Sequence, residues 1–230
     1  MTISILYSDE TLLVVNKPAD LAIIPEGWDK TAPNLRALLE VEFGRVWVVH
    51  RLDKVTSGVV VFARSAEVHR SLSRQFEYHQ ANKIYHAIVC GVPAWDEESA
   101  RQPLRGGAGH PIRTVVDWKK GKEAVTHFRV RERFAAHALL EASPETGRTH
   151  QIRAHAAALG FPILADSLYR APPTDLIARP ALHAHSLEFT HFAAGKRVTF
   201  SAPHPADFAA AVEALRTICN PKHTHVSRFA

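Results

Sequence analysis

One stretch constrains this chain more than any other. Residues 46–65 read VWVVHRLDKVTSGVVVFARS, two β-branched apolar runs around a concentrated polar centre. Val46–Val49 and Val59–Phe62 have the length and composition of buried strands. The centre, HRLDKVTSG, then joins them and gathers Arg51, Asp53, Lys54, Thr56 and Ser57 at the strand ends. A rigid apolar frame around a polar connection is how a scaffold presents a reactive loop. The same pattern also fits a solvated connection carrying an ordinary Arg–Asp contact.

Composition limits the alternatives. A chain of 230 residues, 46% hydrophobic and 22% charged, can bury a substantial core as one large or two small domains. Lys and Arg number 28 against 23 Asp and Glu, a formal +5, which favours a polyanionic partner. The two cysteines, Cys90 and Cys219, form no CxxC pair, so neither a disulfide framework nor a cysteine zinc site is expected. That usage fits a reducing cytoplasm. No basic-then-apolar leader opens the sequence, and no run of about 18 apolar residues predicts a membrane span.

In chain order, Ile3–Tyr7 and Leu12–Val15 read as strands separated by a turn and closed by Asn16-Lys17-Pro18. Leu35, Leu38, Leu39 and Phe43 form a helical stripe capped by Asn34 and ended by Gly44. Ser65 caps a second helix whose buried stripe is Val68, Leu72 and Phe76. Its basic face, with Arg70 and Arg74, is either solvated or turned to phosphates. KIYHAIVCG, residues 83–91, alternates as a strand, with Tyr85 and His86 on opposite sides. Residues 92–113, rich in Pro and Gly, read as a mobile loop without the GxxxxGK spacing of a phosphate cradle. Thr114–Trp118, Ala124–Val130 and Ala138–Ala142 read as further strands. Thr149 is a candidate cap for a helix over residues 150–159. His150 and His155, five apart, do not share a helix face, so no metal is expected there. Two more strands and a helix from Pro205 to Ile218 complete the pattern. With no linker dividing the chain, residues 1–219 read as one domain and 220–230 as a flexible tail.

Three motifs carry a resemblance. HRLDKVTSG resembles the catalytic-loop signature of the RluA-type RNA pseudouridine synthases. KIYHAIVCG is similar to that family's K-x-Y-x-A-x-V-x-G strand, and ETGRTHQIRAHAAALGFPILADSLY, residues 145–169, to its GR-x-HQ-I-R-x-H signature. The order is the family's, and the resemblance runs from about residue 4 to about residue 210. Many members of the family carry an N-terminal S4-type domain; the motifs here begin at the catalytic domain, so a stand-alone catalytic domain is expected. The chain also has Ala165 where the family often has Gly before the Asp of its P-I-x-G-D stretch.

The resemblance implies an α+β fold, a largely antiparallel mixed sheet flanked by helices with the active-site cleft across its middle. It implies isomerisation of uridines in ribosomal or transfer RNA, by a monomer needing no cofactor. Asp53 is the implied catalytic carboxylate, acting on the sugar or as a nucleophile. Arg153 is its implied countercharge, through a forked pair. Tyr85 is the platform for the extruded base, and its hydroxyl a group for removing the C5 proton. Arg51 is a candidate for propping the vacated stack. Lys17 is either an RNA contact or a plain surface lysine; Arg148 and His150 are further RNA-contact candidates. The competing readings are a non-catalytic RNA-binding protein on the same scaffold and a small-molecule hydrolase. The second lacks a motif such as G-x-S-x-G.

Overall fold

The computed structural model describes residues 3–25, 31–108 and 113–219. The expected tail at 220–230, and Gly109, His110, Pro111 and Ile112 of the expected loop, lie outside the described residues. Ten strands form one sheet in the order β1-β2-β4-β11-β5-β10-β9-β6, with β12 joined to β11 and β3 to β4. These are β1 (Ser4–Ser8), β2 (Leu12–Lys17), β3 (Trp47–Val48), β4 (Ser57–Ala63), β5 (Asn82–Cys90), β6 (Glu97–Ala100), β9 (Thr126–Arg133), β10 (His137–Pro144), β11 (Leu182–Thr190) and β12 (Arg197–Ser201). β7 (Leu104–Ala108) and β8 (Arg113–Val116) make a separate antiparallel pair. The sheet is mixed and mostly antiparallel, as the family resemblance implies; β4 runs parallel to β11.

Strand alternation explains why two helices sandwich one half of it. Leu12, Val14, Val59 and Val61 face α2 (Ala66–Glu77), packing on its Val68 and Leu72. Leu13, Val15, Val60 and Phe62 point the other way, onto Leu35 and Leu39 of α1 (Leu35–Phe43). β4 is buried at every position, so its near-continuous apolar run is what a strand covered on both faces requires. Asn34 and Ser65 cap α1 and α2 with their side chains, as expected. The other half of the sheet shares a core with Ile152 and Ala156 of α3 (Gln151–Ala158) and Phe208, Val212 and Leu215 of α4 (Ala206–Cys219).

Residues 92–113 differ from the expected loop. β6 extends the sheet through Glu97–Ala100, and Leu104–Ala108 pairs with Arg113–Val116. Leu104 and Lys122 also exchange backbone hydrogen bonds at 2.9 and 2.8 Å. Turn-rich composition hid these strands because their pairing partners lie at 113–129, beyond any local pattern.

The join of β4 and β11 brings the polar loop into the middle of the sheet. Gly58, the last residue of HRLDKVTSG, has φ +118°, and a Cβ there would lie 2.1 Å from the Ala184 carbonyl oxygen of β11. Both the backbone angle and the close approach demand glycine. Gly58→Ala is therefore expected to cost about 3 kcal/mol or more, combining left-handed strain with overpacking. Chemical denaturation checks this; a loss under about 1 kcal/mol would show that the strands separate easily.

Candidate active site

HRLDKVTSG crosses the floor of a cleft of about 940 Å³, whose walls include Ile23, Tyr85, Arg148, His150 and Arg153. The loop is held from behind by two cations. Lys17, on β2, is 0% exposed. Its ammonium donates to the carbonyls of Pro18 and Leu21, each at 2.8 Å, and of Lys54 at 3.0 Å. This corrects both sequence readings of Lys17: it faces neither RNA nor solvent, but ties the loop backbone to the sheet. Arg179 grips Asp207 of α4 with a two-bond fork of 2.7 and 3.0 Å. It also donates to the Val55 carbonyl at 3.2 Å and reaches Ser57 Oγ at 3.4 Å. Within the loop, Thr56 N–H closes a turn on the Asp53 carbonyl at 3.0 Å.

Asp53 stands on this floor with its side chain 25% exposed to the cleft. Arg153 Nη1 approaches its Oδ2 at 3.4 Å and His150 Nε2 at 3.8 Å. The expected fork between Arg153 and Asp53 is absent. Arg153 instead forks onto Asp166, with Nε–Oδ2 at 2.7 Å and Nη2–Oδ1 at 2.8 Å. Asp166 is 1% exposed, so the shorter, drier pair takes the two best-aligned donors and leaves Nη1 for Asp53. The Tyr169 ring, whose centroid is 5.2 Å from the guanidinium carbon, closes a further side. Burial works against the Arg153 charge, but the Asp166 hydrogen bonds and the charges of Asp166 and Asp53 outweigh it. The cation is thus fixed before any substrate arrives.

Asp166 gained no role from the sequence, although it ends the family-like P-I-x-x-D stretch. The signal was the residue before it: Ala165 has φ +63°, a left-handed angle that glycine meets at lower cost. That turn aims Asp166 back at α3. Tyr169, in the short 3-10 turn Ser167–Tyr169, accepts from Thr114 N–H at 3.2 Å and donates to the Thr114 carbonyl at 3.1 Å.

The start of α3 also departs from expectation. Thr149 does not cap it; the capping position is His150, at φ +52° with no side-chain cap bond. Gln151 does the anchoring. Its Oε1 accepts from Thr146 Oγ1 at 2.7 Å and Arg148 N–H at 2.9 Å, and its Nε2 donates to Val125 and Thr126. The left-handed turn carries His150 into the cleft while His155 points into the core. The two nitrogens of His155 engage Thr126 Oγ1 at 2.9 Å and the Gln102 carbonyl at 3.0 Å.

Tyr85 lies on the opposite wall, half-buried. Burial, aided by the Asp53 charge, raises its pKa and keeps the phenol protonated. His50, stacked on Phe76 at 4.6 Å, accepts from Val61 N–H at 3.1 Å. Burial, with the charge of Lys83, pushes its imidazole down to about 3, so it is neutral. Burial lowers Lys83 itself to about 8. Arg51 and Arg148 are exposed on the rim, Arg148 donating to the Glu123 carbonyl at 3.0 Å. The cleft therefore offers one carboxylate beside a fixed guanidinium, an aromatic face opposite, and a basic edge.

Known proteins resemble this chain in sequence and in fold. A family model described as RNA pseudouridylate synthase matches residues 11–158. The ribosomal large subunit pseudouridine synthase D of Neisseria meningitidis serogroup B is 39% identical, over 94% of this chain and 62% of its own length. The chain thus spans somewhat less than two thirds of that relative. The protein of the same name in Pseudomonas aeruginosa is 38% identical, over 93% of this chain and 72% of its own. Among solved structures, human RNA pseudouridylate synthase domain containing 1 aligns with a TM-score of 0.76, 26% identity and coverage of 94% and 95%.

Asp166→Asn keeps the shape of the pair but removes its charge. It is expected to lower turnover at least about tenfold while leaving RNA affinity within about twofold. Steady-state kinetics with a separate binding assay checks this. Unchanged turnover would show that Asp166 serves packing alone.

Proposed function

This chain belongs to the RNA pseudouridylate synthase family, and from that premise we propose that it isomerises specific uridines in RNA to pseudouridine. Residues 1–219 act as one catalytic domain in this reading. The single observation that carries it is the meeting of Asp53, Arg153 and Tyr85 in one cleft with Arg51 and Arg148 on its rim.

The reaction breaks the C1′–N1 bond, turns the base and joins C1′ to C5; N1 gains a proton and C5 loses one. Nothing is oxidised or reduced, so the chain's own side chains suffice. Asp53 supplies the negative charge that acts on the nucleoside as the glycosidic bond opens, as nucleophile or as a base on the sugar. Arg153, fixed by Asp166, holds that carboxylate in position at no cost of reorganisation during the reaction. The uridine must leave its stack to reach the floor of the cleft, and Arg51 on the rim can occupy the vacancy with its planar guanidinium. Tyr85 offers a ring face for the extruded base, and its protonated hydroxyl a hydrogen bond to it. A hydroxyl held protonated does not itself take the C5 proton; it must first hand its own onward. Arg148 and His150 then face the backbone of the flipped nucleotide.

The relatives are named for the large ribosomal subunit, which makes ribosomal RNA the first substrate to test, with transfer RNA second. Among the described residues no helix is long and apolar enough to cross a membrane. Its cysteine usage supports action on RNA in the cytoplasm, and in this reading the chain acts as a monomer.

Pseudouridine mapping of total RNA, with and without the protein, tests the reading. At least one site is expected to disappear on deletion and to return with the wild type but not with Asp53→Asn. In purified form that variant should lose about a thousandfold or more in turnover while still binding RNA. An unchanged map, or an active Asp53→Asn, would favour the non-catalytic RNA-binding alternative or a different carboxylate.

A further inference from the structure

The sheet face opposite the cleft carries a second cluster of reactive groups, which the isomerisation does not use. Tyr85 faces the cleft; His86, the next residue on β5, points the other way. There it meets His185 of β11 and His204, just after β12. The His86 and His185 rings stack with centroids 4.2 Å apart, and His86 Nδ1 lies 2.7 Å from His204 Nε2. One nitrogen from each of the three rings falls within 4.8 Å of the others.

We propose that His86, His185 and His204 form a binding site for one divalent ion of the zinc class. Three lines of geometry support it. First, tetrahedral Zn–N bonds of about 2.0–2.1 Å set ligand nitrogens roughly 3.3 Å apart, so small rotations of these rings suffice. Second, the surroundings fix a tautomer. The Ala202 carbonyl can only accept, so His185 Nδ1, at 3.1 Å, carries the hydrogen and Nε2 keeps its lone pair. The same carbonyl takes His183 Nε2 at 3.2 Å, and Ser57 Oγ sits 2.9 Å from His183 Nδ1. Both His183 nitrogens are thereby committed, which leaves it as support rather than ligand. Third, the ligand set is imidazole without carboxylate, which selects zinc, cobalt, nickel or copper over magnesium or calcium.

The adjacent Arg131 and Arg216 are paired with Glu141 and Glu132. His185 and His204 are half-exposed, so an ion has an entry path and the fourth coordination position can hold water. A bound ion would clamp β5, β11 and the segment after β12 together. It would do so behind the catalytic loop, to which His183 is joined through Ser57.

Titration of the chelator-treated full chain with ZnCl2, followed by calorimetry, and with CoCl2, followed by visible absorption, tests this. One equivalent is expected to bind, with a cobalt spectrum of four-coordinate intensity. At about a hundredfold excess over Kd, zinc should raise the thermal midpoint by about 5–10 °C. His185→Gln and His204→Gln should each weaken binding at least about tenfold, with melting of the metal-free variants confirming that they fold. His223→Ala/His225→Ala, which removes the other closely spaced histidines, should bind as the wild type does. No binding at 100-fold molar excess, unchanged affinity in the Gln variants, or loss in the His223/His225 variant would each overturn the proposal.

Discussion

The structure depends on how one guanidinium divides its hydrogen bonds. Arg153 gives its fork to Asp166, which is buried, and its remaining face to Asp53, which is in the cleft. A buried arginine needs a carboxylate to offset its desolvation, and Asp166 meets that need without involving the reactive group. Asp53 is then free of the task of stabilising the fold. It receives a fixed positive charge at 3.4 Å yet remains exposed enough to meet a nucleoside. An arginine forked directly onto Asp53 would have engaged both carboxylate oxygens and blocked the chemistry it supports.

The same separation of support from reactivity recurs around the loop. Lys17 and Arg179 draw the carbonyls of Lys54 and Val55 inward, leaving the Asp53 side chain on the opposite surface. Gly58 lets β4 touch β11 at a distance no side chain permits, and so locks the loop's far end to the centre of the sheet. Gln151 satisfies all four of its hydrogen-bonding positions between the strands and the turn before α3. The side chains of Lys17, Arg179 and Gln151 are buried and polar, and each gains by being satisfied rather than by touching substrate.

Much of this was legible in the sequence, and the rest was hidden for identifiable reasons. Apolar runs marked β4 and β2, and Asn34 and Ser65 announced the helix starts, because those signals are local. HRLDKVTSG, Tyr85 and Arg153 could be named from motifs because each motif is a contiguous string. Lys17 could not be read correctly: a lysine beside Asn and Pro looks solvent-facing, and the carbonyls that converge on it come from Leu21 and Lys54 as well as Pro18. Asp166 was visible as a residue, but which carboxylate takes a fork is decided by burial, a tertiary property. Thr149 had the right chemistry for a cap, but the helix starts one residue later than expected and its capping position falls on His150. The three histidines lie on separate elements, so no spacing could have joined them.

If Asp166 acts through Arg153, the two are one unit, and a double-mutant cycle on turnover measures that directly. Asp166→Asn, Arg153→Lys and the double variant are assayed on the same RNA. The double variant is expected to be about as slow as the slower single variant, a coupling of about 1–3 kcal/mol. Losses that simply multiply would contradict the account, because Asp166 and Arg153 would then contribute independently.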